Sequence, residues 1–352
     1  NTAAKLAALD GQVFLDETED TYCVWRTEYH RGLCTYYMDL FRRRGETERA
    51  IRMHQNLLLR PDLPAEQQMQ AQYELGQDFL KAGLLDRAEE VFQKLTETPY
   101  SIQARRALLE IFQREKEWQQ AIEAAEALQN SGTGNRNKQI AQFYCELAED
   151  ELVNRHPEKA IPLLETALAT DRMSARATIL YGDAQLAMGN TEEALNTWRR
   201  VEKQSISHTV LVAQRLMDGY QAVGRPQEGI SLLKSYLAEA ASIDLLEVVF
   251  QAVLKENGIE AANTLVHDEL RRTPTLLGLD KLLEAQLLVV PPEIRQDLSF
   301  VRNLVQRYAS KLSRYKCDHC GFEARQFYWQ CPGCHQWETY PPRRTEELKI
   351  SA

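Results

Sequence analysis

One pattern recurs along this 352-residue chain and constrains its fold more than any other feature. A small residue, usually beside an apolar one, is followed four positions later by a bulky apolar side chain, and often by another three beyond. The copies are anchored at Ala50, Ala88, Ala121, Ala160, Ala194, Gly229 and Ala262, with separations of 38, 33, 39, 34, 35 and 33 residues. A fixed period in this range means stacked supersecondary units, none of which can bury its apolar face alone.

A period near 34 is that of the tetratricopeptide repeat, a pair of antiparallel helices. In the clearest copy Leu75, Gly76 and Phe79 precede Ala88, with Gly83 at the turn and Phe92 and Leu95 following. A later copy repeats it with Tyr181, Gly182, Leu186, Gly189, Ala194, Trp198 and Val201. Small residues at these positions let two helices touch, and the large ones seal the next repeat, so both sets are packing residues. The two long separations imply insertions near Arg60–Pro64 and Ser131–Gly134. The expected fold is all-α: a tetratricopeptide-repeat superhelical solenoid over residues 38–274, of about seven repeats. Residues 1–37 form a helical segment of unassigned register, with Asn1–Leu9 and Thr21–Tyr37 as candidate helices. Residues 275–314 form a helical pair broken at Pro291-Pro292.

After the helices comes different chemistry. Cys317-x-x-Cys320 and Cys331-x-x-Cys334 can place four thiolates around one ion, zinc or iron by geometry. The segment 315–342 is too short to fold on an apolar core, so the metal has to hold it together, and 343–352 is a tail. Four sulfurs close the coordination shell and leave no position for substrate, which argues against an enzyme. His319 and His335 read as solvent-facing neighbours of the two Cys-x-x-Cys turns. With no Gly- or Ser-rich linker before Tyr315, the ribbon is expected to dock on the last helix.

The net charge of −9 argues against general nucleic-acid affinity. It is unevenly spread, since Arg295–Arg344 holds nine Lys/Arg against four Asp/Glu. Cys23, Cys34 and Cys145 read as buried helix thiols in a reducing compartment. No apolar run of about 18 residues, as a membrane helix needs, occurs. Gly132-Thr133-Gly134-Asn135 lacks the flanking strand and Gly-Lys-Ser/Thr of a phosphate loop. His30, His54, His156, His208 and His267 are scattered singly and suggest no catalytic group. Peptide capture in such arrays uses the first helix of each pair. Counting from the anchors gives groove candidates Tyr73, Gln77, Lys81, Gln142, Cys145, Glu149, Arg176, Ile179 and Asp183, a set without the Lys/Asn clamp for chaperone tails.

Repeats followed directly by a four-cysteine ribbon resemble the bacterial lipopolysaccharide assembly protein B family. The resemblance runs from about Arg42 to Pro342. It is carried by Tyr315, Cys317, Cys320, Gly321, Phe322, Tyr328, Trp329, Cys331, Pro332, Cys334 and Trp337, which look like that family's rubredoxin-type domain. Phe143–Leu147, Arg87–Glu89 and Trp118–Ile122 support it. The resemblance implies a non-enzymatic scaffold at the inner membrane, anchored by an N-terminal helix, with this region on the cytoplasmic side. It also implies partners: the UDP-3-O-acyl-N-acetylglucosamine deacetylase, the membrane-anchored FtsH protease that degrades it, an inner-membrane sensor, and lipopolysaccharide synthesis and export proteins. A homo-oligomer is open. Two other classes stay in view: a nucleic-acid-binding zinc ribbon stacking bases on Phe327, Tyr328, Trp329 and Trp337, and a rubredoxin-like electron carrier.

Overall fold

A computed structural model describes residues 41–42, 44–61, 63–312 and 314–345, so the readings for residues 1–37, with Cys23, Cys34 and His30, and for the end of the tail lie outside the described residues. The chain divides into two compact units, Asn1–Arg136 and Asn137–Ala352. The first holds α1 (Thr47–Leu58), α2 (Ala65–Ala82), α3 (Leu85–Lys94), α4 (Ser101–Glu115) and α5 (Trp118–Asn130). The second begins with α6 (Asn137–Val153), α7 (Pro157–Thr170), α8 (Ala175–Ala187), α9 (Thr191–Trp198) and the short α10 (Val201–Gln204). A 3₁₀ turn at Ile206–His208 leads into α11 (Thr209–Ala222), α12 (Pro226–Glu239), α13 (Ile243–Asn257), α14 (Ile259–Arg272), α15 (Leu276–Leu287) and α16 (Pro292–Leu312). Strands β1 (Tyr315–Lys316) and β2 (Glu323–Ala324) then pair antiparallel.

Several hairpin turns are closed in the same way, by a left-handed residue and a bond from the next amide back to the carbonyl five residues earlier. Gly83 (φ 76°) is followed by Leu84 N–H donating to Phe79 O, and Gly189 (φ 86°) by Asn190 N–H donating to Gln185 O. This motif satisfies carbonyls that the ending helix leaves open. Lys116 (φ 60°) and Arg155 (φ 62°) adopt the same conformation without being glycine, and Glu117 and His156 make the same bond. A side chain there costs about 1 kcal/mol, which is why these two turns carry no glycine signal in the sequence.

All the anchor alanines are buried, and the packing reason is direct. A Cβ on Gly76 would come within 2.7 Å of the Phe92 ring, and one on Gly182 would overlap the Trp198 indole. Trp198 also donates its indole N–H to the Ile179 carbonyl at 3.1 Å, and its far edge lies 3.6 Å from a Cβ built on Gly219. The ring is therefore held between glycines of two successive first helices. From it a continuous core runs through Val212, Leu216, Leu233, Val249, Phe250, Val253 and Val266. One detail departs from the repeat reading: Leu186 is exposed, and Ala184 is the buried residue of that turn.

Within the first unit a buried polar cluster ties neighbouring helices. His54 Nδ1 lies 2.5 Å from Asp78 Oδ2, while Arg42 bonds Asp78 and Glu74. In the second unit α15 and α16 follow α14. Thr275 caps α15 by accepting from Gly278 N–H at 2.8 Å, and Pro292 opens α16, where a missing N–H is harmless. Arg302 of α16 reaches Asp280 and Glu284 of α15.

Candidate metal centre

The ribbon is built from two equivalent turns. In the first, Cys317 N–H donates to Phe322 O and Gly321 N–H donates to Cys317 O, both at 2.9 Å. In the second, Cys331 N–H donates to Gln336 O (2.9 Å) and His335 N–H to Cys331 O (2.8 Å). Gly321 and His335 occupy matching left-handed positions, φ 76° and 55°. The β1–β2 pairing beside the first turn has its counterpart in the Gln330–Trp337 bridge beside the second. Sequence spacing thus becomes an approximate two-fold arrangement that turns four thiols toward one point.

All four sulfurs lie within 4.8 Å of one another, with Cys317 Sγ to Cys334 Sγ at 3.8 Å and Cys320 Sγ to Cys331 Sγ at 3.6 Å. A tetrahedral ion with metal–sulfur bonds near 2.3 Å needs edges of about 3.8 Å, so the donor set fits one ion. Gly333 N–H points at Cys331 Sγ from 3.4 Å, the amide-to-sulfur contact that steadies a thiolate. Cys317 and Cys331 are buried, whereas Cys320 is exposed, and His319 and His335 face solvent. The small core around the cage is Tyr315, Tyr340, Phe327 and Tyr328, with the Tyr340 hydroxyl donating to the Phe322 carbonyl.

The ribbon is seated on the repeats. Its contacts fall on the first helices of successive pairs, because its aromatic and charged side chains meet matching groups there. Trp337 sits edge-on to Phe143 of α6 (6.1 Å), and Gln142 donates to Glu338 at 2.7 Å. Arg176 of α8 lies over Trp337 and Trp329, at 5.7 and 6.0 Å from their ring centres. Trp329 stacks on His208 at 5.4 Å, nearly parallel, and packs against the core of the second unit. At the far end Asp244 of α13 accepts from the Tyr315 hydroxyl (2.9 Å) and from Arg344 Nε and Nη2 (both 2.8 Å).

Arg176 is the hub of this surface. It is 4% exposed and bonds Gln142, Glu146 and Glu149. Burial alone would lower its pKa; the facing carboxylates outweigh that and raise it, so the charge is held in place beneath the two indoles. His208 has no such partner charge, and burial pushes its imidazole down to about 4, leaving it neutral for stacking while Ser205 Oγ bonds its Nδ1 at 2.7 Å.

The groove candidates separate accordingly. Gln142 and Arg176 meet this chain's own C-terminal segment, through Glu338 and the Trp337 ring, while Glu149 is paired with Arg176. Asp183 is paired with Arg215 of α11. Cys145 and Ile179 are buried in the core and do not face a groove; burial raises the Cys145 thiol to about 12. In the first unit Tyr73 stacks on Tyr100 at 5.4 Å, Gln77 donates to the Tyr73 hydroxyl, and Lys81 is exposed. Phe143, His208, Asp244, Glu338 and Arg344 were missed by sequence reasoning. None lies at a repeat-defining position; the available signal was the concentration of aromatic residues in the ribbon.

Comparison with known proteins agrees with this construction. A model described as the rubredoxin metal binding domain matches residues 315–342, and tetratricopeptide repeat models match 39–102, 73–135 and 154–204. The lipopolysaccharide assembly protein B of Escherichia coli is 35% identical over 308 residues, covering 87% of this chain and 79% of that protein. The one from Haemophilus influenzae is 28% identical over 318 residues, covering 88% and 78%. Among solved structures, the C-terminal part of a TPR repeat-containing protein from Cytophaga hutchinsonii aligns with a TM-score of 0.42 at 13% identity, covering 70% of this chain and 98% of that one. A tetratricopeptide-repeat chain with a four-cysteine ribbon and this degree of identity over most of its length belongs to the lipopolysaccharide assembly protein B family.

Proposed function

We propose that this chain is a non-enzymatic adaptor that restrains lipopolysaccharide synthesis by bringing the UDP-3-O-acyl-N-acetylglucosamine deacetylase to the membrane-anchored FtsH protease, on the cytoplasmic side of the inner membrane. Cys317, Cys320, Cys331 and Cys334 hold one zinc or iron ion, whose contribution is a crosslink rather than a reaction. The observation that carries the reading is the seating of the ribbon along α6, α8 and α13, where the metal segment braces the repeats. The first helices of the opening repeats, with Tyr73, Gln77 and Lys81, are then the surface for an extended partner segment, and proximity raises the effective concentration of the deacetylase at the protease. Family membership supports the pathway. Trp329, Trp337 and Phe327 are engaged with the repeats or with one another, which disfavours base stacking on nucleic acid.

The test is Cys317→Ser and Cys331→Ser in cells. Both should raise deacetylase levels and slow its turnover, with the chain itself still present. Normal turnover with the metal gone would refute the role of the ribbon. Colour separates the ions: an iron tetrathiolate absorbs visible light and bleaches on reduction, and zinc does not.

A further inference from the structure

Residues 336–339 lace the two Cys-x-x-Cys turns together. On the side of the second turn, Gln336 O accepts from Cys331 N–H, Trp337 pairs with Gln330, and Glu338 N–H donates to Trp329 O at 2.8 Å. Thr339 reaches the first turn: its carbonyl accepts from Asp318 N–H at 2.8 Å, and its hydroxyl lies 3.3 Å from Cys317 Sγ. A metal-bound sulfur carries no proton, so in that contact the Thr339 hydroxyl is the donor. The other acceptor in its reach, Gln336 O at 3.3 Å, is neutral and already bonded to Cys331 N–H, so the thiolate is preferred. The two middle side chains of the segment meet the repeats instead. Trp337 is edge-on to Phe143 with Arg176 over its ring, and Glu338 accepts from Gln142 Nε2 at 2.7 Å.

Glu338 has φ 56°, a left-handed position that favours glycine. A ribbon folding by itself gains nothing from a carboxylate there. The side chain is committed to Gln142, a fully buried residue of α6 whose carbonyl oxygen accepts from Arg176 Nη1 at 3.2 Å. We propose that Gln142 is a positioning residue for the metal centre: through Glu338 it fixes the segment that brings the Thr339 hydroxyl to Cys317, so the repeats set how firmly the ion is retained. The inference rests on the reading that the four cysteines hold one ion. Displacing Trp337 and Glu338 from α6 then loosens the ion, and by linkage the bound ion tightens the seat by the same factor.

The full chain loaded with cobalt(II) supplies both readouts: its thiolate charge-transfer band reports on the sulfurs, and its bleaching in excess chelator times the loss of metal. Thr339→Val should move the band to lower energy and speed loss by about 10- to 100-fold, and Thr339→Ser should restore both. Glu338→Gly relieves the left-handed backbone, so a ribbon indifferent to its seat would keep the ion at least as long as wild type. The expected result is the opposite, loss about threefold to tenfold faster, with Glu338→Gln close to wild type because its amide oxygen still accepts from Gln142. Gln142→Ala should match Glu338→Gly, and combining the two should add little, since both remove one contact. Wild-type retention in Glu338→Gly overturns the proposal, as does a Thr339→Val band that stays in place. A wild type that fails to take up one cobalt per chain overturns the four-cysteine reading itself, and the proposal with it.

Discussion

The seating of the ribbon rests at its far end on one carboxylate, and a double-mutant cycle measures what that contact contributes. Arg344 gives Asp244 two hydrogen bonds of 2.8 Å, and the pair is 16 and 30% exposed. Charge-assisted bonds of this geometry contribute about 1.5–3 kcal/mol each when dry, and partial exposure reduces the pair to a coupling of about 1–2 kcal/mol. Each single change carries a further loss. Asp244→Ala also removes the Tyr315 hydroxyl bond, about 1 kcal/mol, and Arg344→Ala removes the cation lying 4.1 Å over the Tyr315 ring, about 0.5–1 kcal/mol. Neither depends on the other residue, so both cancel in the cycle and the coupling isolates the bridge. The assay is amide hydrogen exchange across Trp329–Glu338 in wild type, both single variants and the double. Each single variant should speed exchange by about 10- to 150-fold, and the double should fall short of their product by a factor of about 5–30. Additive effects, or exchange unchanged in all variants, would mean that the ribbon is not held to α13 and would refute the docking argument.

Two further outcomes follow from the packing and from the buried imidazole. Gly182→Val drives a side chain into the Trp198 indole and should destabilise the second unit by about 1–3 kcal/mol, seen as a lower melting temperature; Trp198→Leu in the same chain should recover part of the loss. His208 titrates near 4 when docked and near 6.5 when released, so the released state takes up the proton first. Its contribution is intact above pH 6.5 and declines as pH falls toward 4, by at most about 2 kcal/mol at pH 5. Ribbon hydrogen exchange at pH 7 and pH 5 should therefore differ more in wild type than in His208→Phe, which keeps a ring against Trp329. An equal pH response in both would count against a neutral His208 under the ribbon.

Several features were legible because they are local. The repeat is visible in sequence since helix contact requires a small residue at a fixed distance from a large one, and Gly182 with Trp198 shows the two halves of that rule meeting. The cysteine cage is visible because each Cys-x-x-Cys turn sets its own sulfurs, and only one further closure joins the pairs. The turns at Lys116 and Arg155 were illegible because tertiary packing imposes a left-handed conformation that the residues themselves do not favour.

Sequence alone therefore determined the repeating unit, its period, and the four sulfurs of the ribbon, since each depends on contacts within a few turns of helix or a single hairpin. Tertiary structure alone decided where the ribbon rests. Trp329 on His208, Trp337 on Phe143 and Arg344 on Asp244 join residues about 100 to 200 positions apart in the chain. No periodicity records such pairings; they exist because stacking helices brings separate first-helix faces onto one surface, and a compact aromatic segment finds its complement there.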